Sequence, residues 1–182
     1  FFGKRSLLWD KHKAKVRIEI HKTDQVILVD LNKLTGKVFQ RGVELSNPDS
    51  VGFYLSKGKE IWMNDSYWLF MPFKLKDTGV TLTYLKEDMT QIGELSDVLK
   101  LTFKEVGATP DNAYWVWVSK DRNLIKQWAY FKHFSDSLPQ FVSSWDDYEE
   151  YGEILLATGR GWRNLTEVEV LSSVPPQTFI SP

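Results

Sequence analysis

Five carboxylates crowd one short stretch, Asp146, Asp147, Glu149, Glu150 and Glu153. Two acids that flank a glycosidic bond at a fixed separation can divide the work of general acid and base or nucleophile, if their surroundings tune them apart. Interleaved with Tyr148, Tyr151 and Gly152, these read instead as a solvated hairpin tip, because environment and not mere presence sets a carboxylate's role. The histidines His12, His21 and His133 are scattered, without the short spacing of zinc motifs. Cysteine is absent, which removes disulfides, thiolate metal sites and cysteine nucleophiles. Ser143-Ser144 lacks the Gly-x-Ser-x-Gly elbow that would expose a nucleophile. Gly159-Arg160-Gly161-Trp162-Arg163 has the glycines of a phosphate loop but neither the lysine nor a following helix, and is read as a strand kink or bulge. The expectation is a chain with no catalytic residue, no metal and no cofactor.

The residues left to carry function are aromatic. Trp62, Tyr67, Trp68, Phe70, Met71 and Phe73 fall in a short apolar segment that reads as a helix ended by Pro72. Wide, adaptable apolar walls of this kind suit a hydrophobic ligand, and the same residues could equally plug the interior as core. Trp115 and Trp117 share one face of a strand, and Trp128 and Tyr130 share a face of the next. Paired across the hairpin, those four would make a platform for stacking on sugar rings, or a buried cross-strand cluster. Lys11, His12, Lys13 and Lys15 form a small basic patch that would meet a membrane surface or acidic partner, or simply keep a turn wet and an edge unpaired.

The bounds on what positions these groups are simple. At 182 residues a single domain is the default. Hydrophobic residues at 42% and charged residues at 26% match an ordinary globular domain, while 14% aromatics with eight Trp favour pleated surfaces. A net charge of -1 provides no field to steer the chain to nucleic acid. No apolar run approaches the ~20 residues that span a bilayer. The opening Phe1-Phe2-Gly3, without Met, reads as a processed or trimmed N-terminus, which would put a signal or lipid anchor upstream.

Along the chain, Ser6-Leu7-Leu8-Trp9 reads as a strand, and residues 15–21 alternate cleanly, with Val16, Ile18 and Ile20 facing one way. Strands follow at 25–31 and 38–42, and residues 51–62 are partly helical. Beyond Pro72, strands are expected at 80–84, at 98–104 with Leu99, Leu101 and Phe103 on one face, and at 114–119 and 124–133 around the turn Lys120-Asp121-Arg122-Asn123. Further strands are expected at 141–147, 153–162 and 166–171, before Pro175-Pro176 ends regular structure. The sum is nine to eleven antiparallel strands and one principal helix. A long meander curls, and its concave side needs filling.

The stretches Asn64-Asp65-Ser66-Tyr67-Trp68-Leu69, Met71-Pro72-Phe73-Lys74-Leu75-Lys76-Asp77, Val98-Leu99-Lys100-Leu101-Thr102-Phe103, Tyr114-Trp115-Val116-Trp117 and Pro176-Gln177-Thr178-Phe179 carry a resemblance. They look like an uncharacterised group of envelope proteins of Bacteroidetes-type bacteria, itself similar to the lipoprotein-carrier superfamily of LolA and LolB. The resemblance implies a mainly β (α+β) fold, a curved antiparallel sheet forming an unclosed β-barrel with a helical plug, whose N-terminal helix would precede Phe1. It also implies a non-enzymatic protein of the periplasm or outer membrane, peripheral or lipid-anchored. Such a protein would bind an acyl chain, lipid or lipoprotein moiety in the half-barrel and meet an envelope partner, with Lys74, Lys76 and Asp77 near the ligand's head group. A carbohydrate-binding module, or a structural protein with a self-filled barrel, are the alternatives.

Overall fold

The computed structural model describes residues 4–104 and 109–182, so the opening Phe1-Phe2-Gly3 lies outside the described residues. The chain divides into two compact units, one formed by residues up to Ser66 with Leu171–Pro182, the other by Tyr67–Val170.

In the first unit, β1 (Arg5–Asp10), β2 (Lys15–Ile20), β3 (Gln25–Asp30), β4 (Thr35–Gln40) and the short β5 (Val43–Glu44) pair in sequence order as an antiparallel meander. Register stacks Val16 opposite Val29 and Ile18 opposite Ile27, which faces Val38 on β4. All of these are buried, as the alternation in residues 15–21 requires. The helix α1 (Pro48–Phe70) covers this face with Leu55, Ile61 and Trp62. Its start follows from local chemistry: the Ser50 amide donates to Asn47 Oδ1 at 2.9 Å, and Pro48 occupies the first turn, where a missing donor costs nothing. Gly58 is the point of closest approach, because a Cβ there would lie 3.0 Å from methyls of both Ile27 and Val29. A bidentate pair, Arg5 to Asp65 at 2.6 Å for both contacts, ties β1 to the helix. Trp9 and Trp62 pack edge to face at 5.3 Å beside it. On the opposite face, the 3-10 turn Pro176–Phe179 returns to the sheet, held by Arg17 donating to the carbonyls of Thr178 (3.0 Å) and Ser181 (2.6 Å).

The second unit opens on the last turn of α1 and the 3-10 turn Met71–Lys74, then adds β6 (Val80–Met89), β7 (Leu95–Phe103), β8 (Ala113–Ser119), β9 (Ile125–Phe131) and β10 (Phe141–Ser144), again in sequence order. β11 (Asp146–Tyr151) and β12 (Ile154–Gly159) form a separate two-stranded ribbon. Leu99, Leu101 and Phe103 face a core with Trp68, Met71, Val116, Trp128 and Trp145.

A mainly β chain of antiparallel sheets with one α-helix is thus what the described residues form, and none of the sheets closes on itself. The helix spans 23 residues and begins at Pro48, well ahead of its aromatic end. It separates the strands into two meanders, where the alternation alone reads as one continuous series. The strand expected at 166–171 does not form: Glu167 adopts φ 56 and no ladder partner is present, and alternation without a partner makes no sheet. Among the described residues, no helix is long and apolar enough to cross a membrane.

Gly58 and Gly52 lie on the same helix and should respond oppositely. Gly58→Val is expected to lose about 1–3 kcal/mol by overpacking against β3. Gly52→Ala, whose Cβ would meet nothing within 4 Å, should gain up to about 1 kcal/mol from helix propensity. Urea unfolding midpoints of the two variants check both signs.

Candidate functional site

Three chain reversals of the second unit surround one groove. Pro72 lacks the amide donor that another helical turn needs. The helix therefore ends there in a 3-10 turn, with Met71 fully buried and Phe73 turned out, 52% exposed. The β8–β9 turn closes through Asn123, at φ 56, whose amide donates to the Ser119 carbonyl at 3.0 Å. The β11–β12 ribbon reverses at Gly152, at φ 66, where a left-handed backbone favours glycine. Between them lies a cavity of about 360 Å³ walled by Phe73, Leu75, Ile125, Tyr148, Ile154 and Leu155, with Asn123 and Glu153 at its edge. Ile154 and Leu155 remain 38% and 42% exposed. Exposed apolar side chains gathered around a concavity mark a binding surface more than scattered ones do.

The floor is polar only in a satisfied sense. The Tyr148 hydroxyl donates to the Ile125 carbonyl at 2.8 Å, and burial pushes its pKa up to about 12. It is a neutral phenol whose donor is already committed. The groove therefore offers apolar contact and two edge polar groups, and no nucleophile beside a base.

The residues singled out in the sequence are distributed differently from one another. Phe73 lines the groove. Trp68, Met71, Trp117 and Trp128 are buried, while Trp62, Tyr67, Phe70, Trp115 and Tyr130 are partly buried. Trp62 packs in the first unit's core, and Tyr67, Trp68, Met71, Trp128 and Tyr130 share the second unit's main core. Trp68 meets Trp128 edge to face at 4.5 Å and stacks on Phe141 at 6.2 Å. The pairing of Trp115 and Trp117 with Trp128 and Tyr130 needs correction. In the β8–β9 ladder Trp115 stands opposite Ala129 and Trp117 opposite Gln127, whereas Trp128 faces Val116 and Tyr130 faces Tyr114. Directly opposed residues share a face, so the two pairs lie on opposite faces and form no common platform. Lys74 pairs with Asp77 at 3.3 Å, and neither they nor Lys76 line the groove. The acids at 146–150 run along β11 and are not gathered at its tip, with Glu149 accepting the Tyr151 hydroxyl at 3.0 Å. Among the described residues no group of three or more His, Cys, Asp or Glu could hold a metal ion.

Arg160 is the residue that sequence reasoning missed. Flanked by Gly159 and Gly161 and read as a kink, it is 1% exposed. Its guanidinium lies 3.3 Å from the centre of the Trp145 ring. It donates to the carbonyls of Trp68 (2.7 Å), Ala157 (3.0 Å) and Gly159. Burial pushes its pKa down to about 9, and it stays charged at neutral pH. Gly159 is glycine for a local reason, since a Cβ there would sit 1.7 Å from Asp146 Oδ1. The one available signal was an arginine between glycines at the end of an apolar strand; its most distant partner is 92 residues away.

Two outcomes follow. Arg160→Ala should cost about 2–4 kcal/mol, because it leaves a void and orphans buried carbonyls. Arg160→Lys should recover little, since one ammonium cannot both lie flat on Trp145 and reach three acceptors; denaturant titration of both variants tests this. Burial likewise raises the pKa values of Tyr67 and Tyr114 above the ordinary phenol range. Unfolded, these groups ionise near 10 while the folded chain keeps their protons, so stability present below pH ~10 should be lost progressively above it. Unfolding midpoints between pH 8 and 12 should fall accordingly, and less steeply in Tyr148→Phe.

No protein-family model, curated protein or solved structure matches this chain.

Proposed function

We propose that the protein is a non-enzymatic binding protein of the bacterial cell envelope that holds a hydrophobic ligand, an acyl chain or lipid-like molecule, as the half-barrel carriers do. The observation that carries this reading is the groove at Phe73, Leu75, Ile154 and Leu155, a concave apolar surface of about 360 Å³ with its walls part-exposed to water. Its volume sits at the small end of the range of ligand sites. The envelope setting, with peripheral or lipid-anchored attachment and an envelope partner, rests on the resemblance of residues 64–69, 71–77, 98–103, 114–117 and 176–179.

The ligand slips beside the end of the helix and does not pass beneath Trp68, whose ring is packed against Trp128 and Phe141. Burial drives binding. At about 0.8 kcal/mol per methylene, eight to ten methylenes supply roughly 6–8 kcal/mol before the costs of ordering, which corresponds to micromolar to millimolar affinity. The polar end stays at the edge of the groove. Dispersion and desolvation alone do not select chain identity, so chemical selectivity has to come from that edge.

Titration with the apolar dye N-phenylnaphthylamine should show saturable fluorescence enhancement, displaced by decanol. Leu155→Glu, at a position 42% exposed, should weaken dye binding about tenfold or more while leaving far-UV circular dichroism unchanged. Mass spectrometry of an organic extract of the purified protein should find acyl species. Dye binding that is absent, or indifferent to Leu155→Glu, refutes the groove as the site.

A further inference from the structure

We infer that the groove selects a ligand whose polar end is an amine or ammonium, and discriminates against a carboxylate. This rests on the hydrophobic-ligand reading and adds the head-group class. Of the side chains that line the groove, Glu153 bears the one formal charge, and it stands at the ribbon turn where a chain buried between Phe73 and Leu155 would emerge. Glu153 is exposed, and among the described residues no ion pair or hydrogen bond holds it. Asn123, opposite in the β8–β9 turn, offers a carboxamide oxygen as a further acceptor.

No lysine or arginine lines the groove, and Lys76, which follows the lining residue Leu75, is exposed outside it. Lys74, next to Phe73, is paired with Asp77, and Lys126 points its charge toward Glu94. Arg122 adjoins Asn123 in the turn but is not part of the lining, and Asp121 precedes it. An alkyl carboxylate seated in the groove would therefore bring its charge to a lining whose one charged side chain is Glu153, with no cation in that lining, whereas an alkylammonium would meet Glu153. Attraction for one sign and repulsion for the other act at an exposed site, so the preference is modest and salt-dependent.

The test uses decylammonium, decanol and decanoate as displacers of N-phenylnaphthylamine at pH 7. Each is kept below its micellar concentration, in low and in physiological salt, with circular dichroism to verify the fold. Decylammonium is expected to bind about five- to tenfold more tightly than decanoate at low salt, with decanol between them and the spread narrowing as salt rises. Glu153→Gln should bring decylammonium down to the level of decanol while leaving decanol unchanged. Equal affinities for the three, tighter binding of decanoate, or a ranking that survives Glu153→Gln overturns the head-group assignment and leaves the apolar site standing. Failure of all three to displace the dye overturns the hydrophobic-ligand reading, and the head-group assignment with it.

Discussion

The end of one helix is the constraint on which the second unit depends. The last four carbonyls of any α-helix have no partner within it, and Pro72 prevents α1 from continuing until its end reaches water. Arg160 meets this need. Its guanidinium donates to the Trp68 carbonyl at 2.7 Å, and it brings positive charge to the negative end of the helix dipole. Because Arg160 follows directly from β12 and also lies on the Trp145 ring, one side chain joins the helix end, the bend between β10 and β11, and the two-stranded ribbon. A buried cation is tolerable when most of its donors find carbonyls, a carboxylate such as Asp146 acts on it through space, and an aromatic face supplies further field. Here three carbonyls take Nη1 and Nη2 and one indole lies against the guanidinium, while Nε has no hydrogen-bond partner among the described residues.

The groove is a consequence of this arrangement. The ribbon, fixed at Arg160, places Tyr148 against Ile125 through a hydroxyl-to-carbonyl bond, and its turn carries Ile154 and Leu155 toward Phe73. The groups that could titrate at the site are a phenol locked as a donor and one exposed carboxylate. Burial pushes the phenol's pKa up to about 12, which does not match it to proton transfer near neutrality.

Much of the sheet structure was legible because burial has period two. Val16 and Ile18 point into the first core, and Leu99, Leu101 and Phe103 into the second, as their alternation with Lys15, Arg17, Lys100 and Thr102 dictates. The turn at Lys120–Asn123 was legible from its residue types. The helix boundary at Pro72 was legible too. What alternation could not supply is the parity between neighbouring strands. Trp115 and Trp117 share a face as expected, yet whether Trp128 joins them depends on a register shift between Trp117 and Val118. One residue of offset sends every side chain to the other face. Arg160 was illegible for a different reason, since its role is defined by a carbonyl contributed from a distant helix, and backbone acceptors leave no mark in a sequence.

The crowded aromatics themselves argue for where a ligand would go. Trp68, Trp128, Phe141 and Trp145 touch in a chain of edge and face contacts between 4.5 and 6.2 Å, at interior packing distances that leave no passage for a hydrocarbon. Opening that cluster to admit a chain would forfeit the contacts that the chain is meant to replace. Phe73 and Leu155 pose no such difficulty: they already stand part-exposed, so covering them removes apolar surface from water without breaking anything. The tryptophans are thus core and not lining, and on the proposed reading a ligand's contacts would fall to the side chains at the ribbon and the turn.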